Sequence, residues 1–208
     1  ILKNINLTIK KGEKIGLIGR SGSGKSTLTD ILMGLLKPSQ GNLFIDNLDI
    51  NHASNKEFLK EWRRTIANVP QTIFLTDGSI SENIAFGVKK QKIDSERLIE
   101  VAKQAQILDF ILSLEKGFNT IIGERGVKLS GGQCQRIGIA RALYKRPQTI
   151  IFDEATSSLD NITEKEVIST INSLSKNLTI IVVAHRLSTI ERCDRIIEIN
   201  KEGMIKEK

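Results

Sequence analysis

The sequence predicts an α/β fold: a mixed, largely parallel sheet with N-terminal antiparallel strands and an inserted helical subdomain. Three observations carry this. Wholly apolar runs at Ile15–Ile18, Ile150–Phe152 and Ile180–Ala184 are short enough, and apolar enough, for strands buried on both faces. The first run passes through a glycine-rich loop into Leu28, Ile31, Leu32 and Leu35, which recur at helical spacing. Between Gln71 and Leu129 the marks are helical throughout, enough for a small subdomain of its own.

The elements follow in chain order. Ile5, Leu7 and Ile9 alternate with Asn4, Asn6 and Thr8, which predicts a half-buried strand ending in the turn Lys10-Lys11-Gly12-Glu13. The strand Ile15–Ile18 then enters Gly19-Arg20-Ser21-Gly22-Ser23-Gly24-Lys25-Ser26-Thr27, and the helix behind it is expected to stop near Pro38. Strand, glycine loop and helix are the context that G-x-x-x-x-G-K-[ST] requires, so the chain is expected to hold a P-loop NTPase core. The chemistry needs this spacing: glycines free backbone N–H groups to surround phosphates, Lys25 reaches the β- and γ-phosphates, and Ser26 ligates Mg2+. The alternative, a glycine-rich turn with an exposed lysine, does not account for Lys-Ser at this spacing between strand and helix.

A P-loop needs a second metal partner and a base. The run Thr149–Phe152 ends in Asp153 and Glu154, so Asp153 is placed to hold Mg2+ and Glu154 to polarise the water that attacks the γ-phosphate. Alone, two acids at a strand end would be a solvated pair. Behind an apolar strand, and with a P-loop in the same chain, they read as catalytic.

The later helix opens on Ser130-Gly131-Gly132, an expensive start, since each glycine costs roughly 0.8–1 kcal/mol against alanine in a helix interior. Two glycines behind a serine let backbone approach something closely at a helix N-terminus, where free N–H groups and the positive end of the dipole favour an anion. Earlier, Ser79-Ile80-Ser81-Glu82 has the capping-box pattern, and Leu98, Val101, Ala102 and Ala105, then Leu108, Ile111 and Leu112, continue at helical period. The catalytic core is thus expected over residues 1 to about 70 and 140–208, with the helical subdomain over about 71–139.

Composition narrows the function classes. The 208 residues are 39% hydrophobic and 26% charged, ordinary for a soluble globular domain. Cys134 and Cys193 are too few for a disulfide framework and too far apart for a metal spacing, which suits a reducing interior. The longest apolar run, Ile180–Ala184, is far short of the about 20 residues that span a bilayer. The net charge of +7 is spread among acids, as in Lys56, Glu57, Lys60, Glu61, Arg63 and Arg64, and aromatics are 4%, so nucleic acid is not expected as a partner.

Leu129-Ser130-Gly131-Gly132-Gln133 is the LSGGQ signature of ATP-binding cassette proteins, and the chain resembles their nucleotide-binding domain over nearly its whole length. The resemblance implies that ATP and Mg2+ are bound in a head-to-tail pair, with the signature of one copy closing over the γ-phosphate held by the other's P-loop. It also implies that Gln71 is the Q-loop glutamine contacting Mg2+ or the attacking water, that Ser157-Ser158-Leu159-Asp160 is the D-loop, and that His185 is the switch histidine contacting the γ-phosphate. Gly123-Glu124-Arg125-Gly126 and Ser79-Ile80-Ser81-Glu82-Asn83-Ile84 look like the exporter branch, in which a transmembrane domain precedes this one in the same chain. On that view the domain works on the cytoplasmic face of a membrane, and a start at Ile1 reflects a membrane segment upstream. Two departures are visible. Cys134 stands where a basic residue is common, and no aromatic precedes Phe44 to stack on adenine. The competing function is a soluble ATPase of the same family acting on nucleic acid or ribosomes, which the basic charge favours. No sustained heptads of the kind that chromosome and repair ATPases insert are present.

Overall fold

In a computed structural model, residues 1–123, 126–156 and 159–208 are described. Strand β1 (Lys14–Gly19) leads into α1 (Lys25–Leu32), followed by the short strands β2 (Phe44–Ile45) and β3 (Leu48–Asp49), α2 (Lys56–Thr65) and β4 (Ile66–Val69). Four helices come next: α3 (Ile80–Ile84), α4 (Ser95–Gln104), α5 (Leu108–Ser113) and α6 (Gly131–Tyr144). The chain closes with β5 (Thr149–Asp153), α7 (Asn161–Ser173), β6 (Thr179–Val183), β7 (Arg195–Ile199) and β8 (Ile205–Glu207).

The main sheet runs β4-β5-β6-β1-β7-β8. Strand β1 pairs in parallel with β6 and β7, β5 pairs in parallel with β6, and β8 is antiparallel to β7. The mixed α/β fold is the one expected. Runs such as IIF and TIIVV are buried along their whole length, as central parallel strands covered on both faces must be. Beneath them Ile15, Leu17, Leu28, Ile66, Ile151, Ile181, Val183, Ile197 and Ile199 form one core.

Two local expectations are corrected, and a third is located. Residues 5–9 form no strand, although burial does alternate and Ile5, Leu7 and Ile9 pack on that core. Alternation needs only an apolar surface on one side, whereas a strand needs a partner edge in register, and the hydrophobic pattern does not encode the partner. Helix α1 ends at Leu32, well before Pro38. Gly34 has φ +68, its N–H donates to Ile31 O at 2.8 Å and Leu35 N–H donates to Asp30 O at 2.8 Å, the paired bonds of a Schellman cap. The antiparallel pair in the N-terminal half is β2–β3, turned by Asp46 and Asn47, both at positive φ as a two-residue hairpin of matching twist demands.

Two compact units are present. One comprises Ile1–Asn68, Pro147–Asp153 and Lys176–Lys208; the other comprises Val69–Arg146 and Glu154–Ser175. The second thus holds all of α6 together with α7. The reason is packing that pattern alone does not reveal: Gly132 of α6 lies against Thr163 of α7, and Arg136 Nη2 pairs with Glu166 Oε2 at 2.7 Å.

Candidate active site

In the first unit the P-loop is built by backbone. Gly24, the residue before α1, has φ +106, and Gly22 has φ +77 with open space where a Cβ would stand. Both lie in the left-handed region that side chains avoid. Gly24 has no side chain to cap α1, so the first-turn N–H groups have no cap from it and stand at the positive end of the helix dipole. Lys25 is 6% exposed, and among the described residues its ammonium donates to Gly19 O at 2.8 Å and Arg20 O at 3.2 Å. Ser23 Oγ is buried with no partner among the described residues. A buried cation held by carbonyls, an orphaned hydroxyl and uncapped amides make a donor set that fits a polyphosphate. Arg20, Ser21 and Ser26 are exposed, and Thr27 is half-buried.

Sheet register then gathers the other candidates of this unit. Leu17 and Asp153 both pair with Val183, one from each side of β6, so they share a row and lie roughly 10 Å apart at the usual strand spacing. Because β1, β5 and β6 are parallel, residues 20–24, Asp153 and His185 all leave the same edge of the sheet, the carboxyl edge where α/β folds bind ligands. Asp153 is half-buried and His185 exposed, and Ala184 N–H donates to Leu17 O at 3.1 Å, which fixes the backbone next to the histidine.

The second unit carries Gln71, Leu129–Gln133, Glu154 and Asp160. Glu154 adopts φ +52, a conformation that costs a non-glycine residue roughly 1–2 kcal/mol and that clusters at functional positions. The side chain of Gln71 is exposed, while its carbonyl accepts from Gln135 Nε2 at 2.8 Å. Leu129 is half-buried and Gly131 exposed. Ser130 caps α6: its Oγ accepts from Gln133 N–H at 3.2 Å, and Gln133 Oε1 accepts from Ser130 N–H at 2.9 Å. This is the same S-x-x-[EQ] box that Ser79 and Glu82 make at α3. The pattern is written in residues 130–133 as plainly as in 79–82, where the spacing predicts it.

The two glycines behind Ser130 have a reason inside the chain. A Cβ on Gly132 would run into Thr163 Cγ2, and one on Gly131 would lie 3.1 Å from Leu159 Cδ2. Close approach is therefore made to the segment leading into α7, whatever else the helix start binds. Asp160 caps α7, accepting from Ile162 N–H at 3.0 Å and from Thr163 N–H and Oγ1 at 3.1 and 2.7 Å. The Thr163 hydroxyl, followed by these backbone donors, holds its carboxyl below the usual range. Cys134 is half-buried, and burial pushes its thiol up, as suits a small packing residue. Glu124, Arg125, Ser157 and Ser158, which belong to the expected exporter and D-loop motifs, lie outside the described residues. Gln135 and Arg141 were not singled out by the sequence.

The family described as ABC transporter matches residues 2–157. The alpha-hemolysin translocation ATP-binding protein HlyB of Escherichia coli O157:H7 is 47% identical over 208 residues, which cover 100% of this chain and 28% of that protein. The leukotoxin translocation ATP-binding protein LktB of Mannheimia glucosida is likewise 47% identical, with the same coverage. A bacterial Atm1-family ABC exporter with ATP bound has a TM-score of 0.85 and 38% identity, covering 100% of this chain and 35% of its own. The chain therefore spans about a third or less of the length of these relatives. No helix among the described residues is long and apolar enough to cross a membrane. With the P-loop, the signature at the start of α6 and the parallel sheet in place, the chain belongs to the ABC transporter family.

Proposed function

We propose that the chain is the ATP-hydrolysing motor of an exporter, working as a head-to-tail pair with a second copy or a close relative and coupled to a transmembrane domain at the cytoplasmic face of a membrane. The observation that carries the ATPase reading is Lys25, a buried ammonium with no carboxylate partner among the described residues. Burying a charge this way is costly unless an anion arrives to meet it. The export reading is supported by the relatives, which are named as translocation proteins and as an exporter.

In this mechanism Lys25 turns from the carbonyls of Gly19 and Arg20 to the β- and γ-phosphate oxygens, and the amides of residues 20–27 receive the remaining charge. Ser26, Asp153 and Gln71 would hold Mg2+, which when bound neutralises charge on the β- and γ-phosphates. Glu154 accepts a proton from the attacking water, and His185 contacts the γ-phosphate. The signature acts in trans. Capping leaves it free to do so, because Ser130 Oγ accepts from Gln133 N–H and still has its own proton to donate to a phosphate oxygen.

Two variants test the pairing. Gly131 is exposed, and a Cβ there asks only the end of the Leu159 side chain, 3.1 Å away, to give by a few tenths of an ångström; Gly131→Asp then suits a helix N-terminus, but its carboxylate repels a γ-phosphate arriving there. Lys25→Ala removes the P-loop cation. Each variant alone should hydrolyse little ATP, while a mixture recovers turnover, since each mixed pair holds one intact P-loop opposite one intact signature. Glu154→Gln should bind ATP yet turn over about 10^2- to 10^4-fold more slowly. A mixture that recovers nothing where wild type is active overturns the trans arrangement, and full turnover in Glu154→Gln overturns the base.

A further inference from the structure

One face of α6 meets residues 71–74. Gln135, Gly138 and Arg141 lie at i, i+3 and i+6, and they meet Gln71, Ile73 and Phe74 in the same order. Gln135 Nε2 donates to Gln71 O at 2.8 Å; a Cβ on Gly138 would stand 2.5 Å from Ile73 Cδ1; Arg141 Nη1 donates to Phe74 O at 2.8 Å. Arg141 is itself fixed by Nε to Asn83 O at 2.8 Å and by the Phe86 ring 5.1 Å away. All of these residues belong to the second unit.

The chemistry of Gln135 is unusual for a packing residue. It is 3% exposed, and while its amide nitrogen serves Gln71, its Oε1 has no partner among the described residues. A half-satisfied buried amide is worse for stability than an apolar side chain of the same length. What it adds is a fixed position for the Gln71 backbone. The same helix carries Ser130 and Gly131 at its start, about 7 Å along the axis from Gln135 at 1.5 Å per residue.

We propose that the row Gln135, Gly138 and Arg141 holds residues 71–74 in register with the start of α6, making Gln135 a positioning residue for Gln71. It rests, for its effect on turnover, on the ATPase reading above. If Gln71 and the signature serve one reaction, a single rigid helix sets where both stand, and a displacement of residues 71–74 is passed to Gly131 through helix rather than loop.

The test uses the intact protein that carries this chain. Gln135→Met keeps length and burial and removes the amide, the Nε2 donor together with the unpartnered Oε1, and Gly138→Ala raises helix propensity while pushing on Ile73. Both should lower kcat by roughly 10- to 100-fold with KM for ATP within about twofold, as misplacement of a catalytic group does. In a Gln71→Ala background Gln135→Met should cost nothing further, because no side chain remains to be placed. A readout independent of ATP is a nitroxide on Thr72→Cys, with Cys134 and Cys193 replaced by alanine: its spectrum should narrow in Gln135→Met. An unchanged spectrum, or losses that simply multiply in the double variant, overturns the proposal. A narrowed spectrum in a protein that hydrolyses no ATP upholds the tether and removes the ATPase reading instead.

Discussion

Replacing Gly132 by alanine separates two explanations of the glycines that open α6. If the glycines serve only an incoming phosphate, a methyl group there is harmless to the isolated chain. The structure says otherwise. The new Cβ falls far inside contact distance of Thr163 Cγ2, on a side chain that cannot swing away, because its Oγ1 donates to Asp160 Oδ2 at 2.7 Å and so holds the rotamer. Overpacking of this kind costs about 1–3 kcal/mol. Against it stands the helix preference for alanine, at most about 1 kcal/mol and less in a first turn. The net expectation is a loss of about 1–2 kcal/mol. Thr163→Ser deletes the methyl and keeps the hydroxyl bond, so in that background Gly132→Ala should be neutral or slightly stabilising. The coupling between the two sites should then be about 1–3 kcal/mol. Urea denaturation of the four proteins measures it, with the midpoint shifting and the slope unchanged. Strict additivity, or a Gly132→Ala single variant as stable as wild type, would falsify the packing role and return the glycines to the phosphate alone.

Two further outcomes are expected. Gly34→Ala should destabilise by about 1–2 kcal/mol from the left-handed backbone, the Cβ 2.6 Å from Leu59 Cδ1 being relieved by movement of that side chain's end, as a thermal or urea melt would register; a shift within error refutes the cap. At the end of the sheet, Arg195 grips Glu207 through Nε and Nη2 at 2.7 and 2.8 Å and Glu13 through Nη1 at 2.9 Å, and holds the Glu207 carboxyl below its ordinary value. A carboxylate depressed in the folded state contributes stability that is present above its unfolded pKa and is lost as pH falls through its folded one. The stability gap between wild type and Glu207→Gln should therefore be open at neutral pH and close below the usual glutamate range; a gap that stays constant down to strong acid refutes the clamp.

By itself the sequence determined the elements whose chemistry is local. An apolar run bounded by turn residues must be a buried strand, so β1, β5 and β6 were legible, and the glycines of residues 19–24 announce a phosphate loop because few other residues allow that backbone. The buried residues of α4 and the cap of α3 were legible for the same reason, since helix period and capping act within one or two turns. Tertiary structure decided everything that depends on a partner distant in the chain. Residues 5–9 alternate like a strand but found a core to lie on and no strand edge to pair with. Nothing near Gly132 foretells Thr163, and nothing near Gln135 foretells the Gln71 carbonyl 64 residues away. Nor does any local pattern say that Asp153 and Leu17 share a row, because parallel register is set by how buried strands pack once the helices between them are in place.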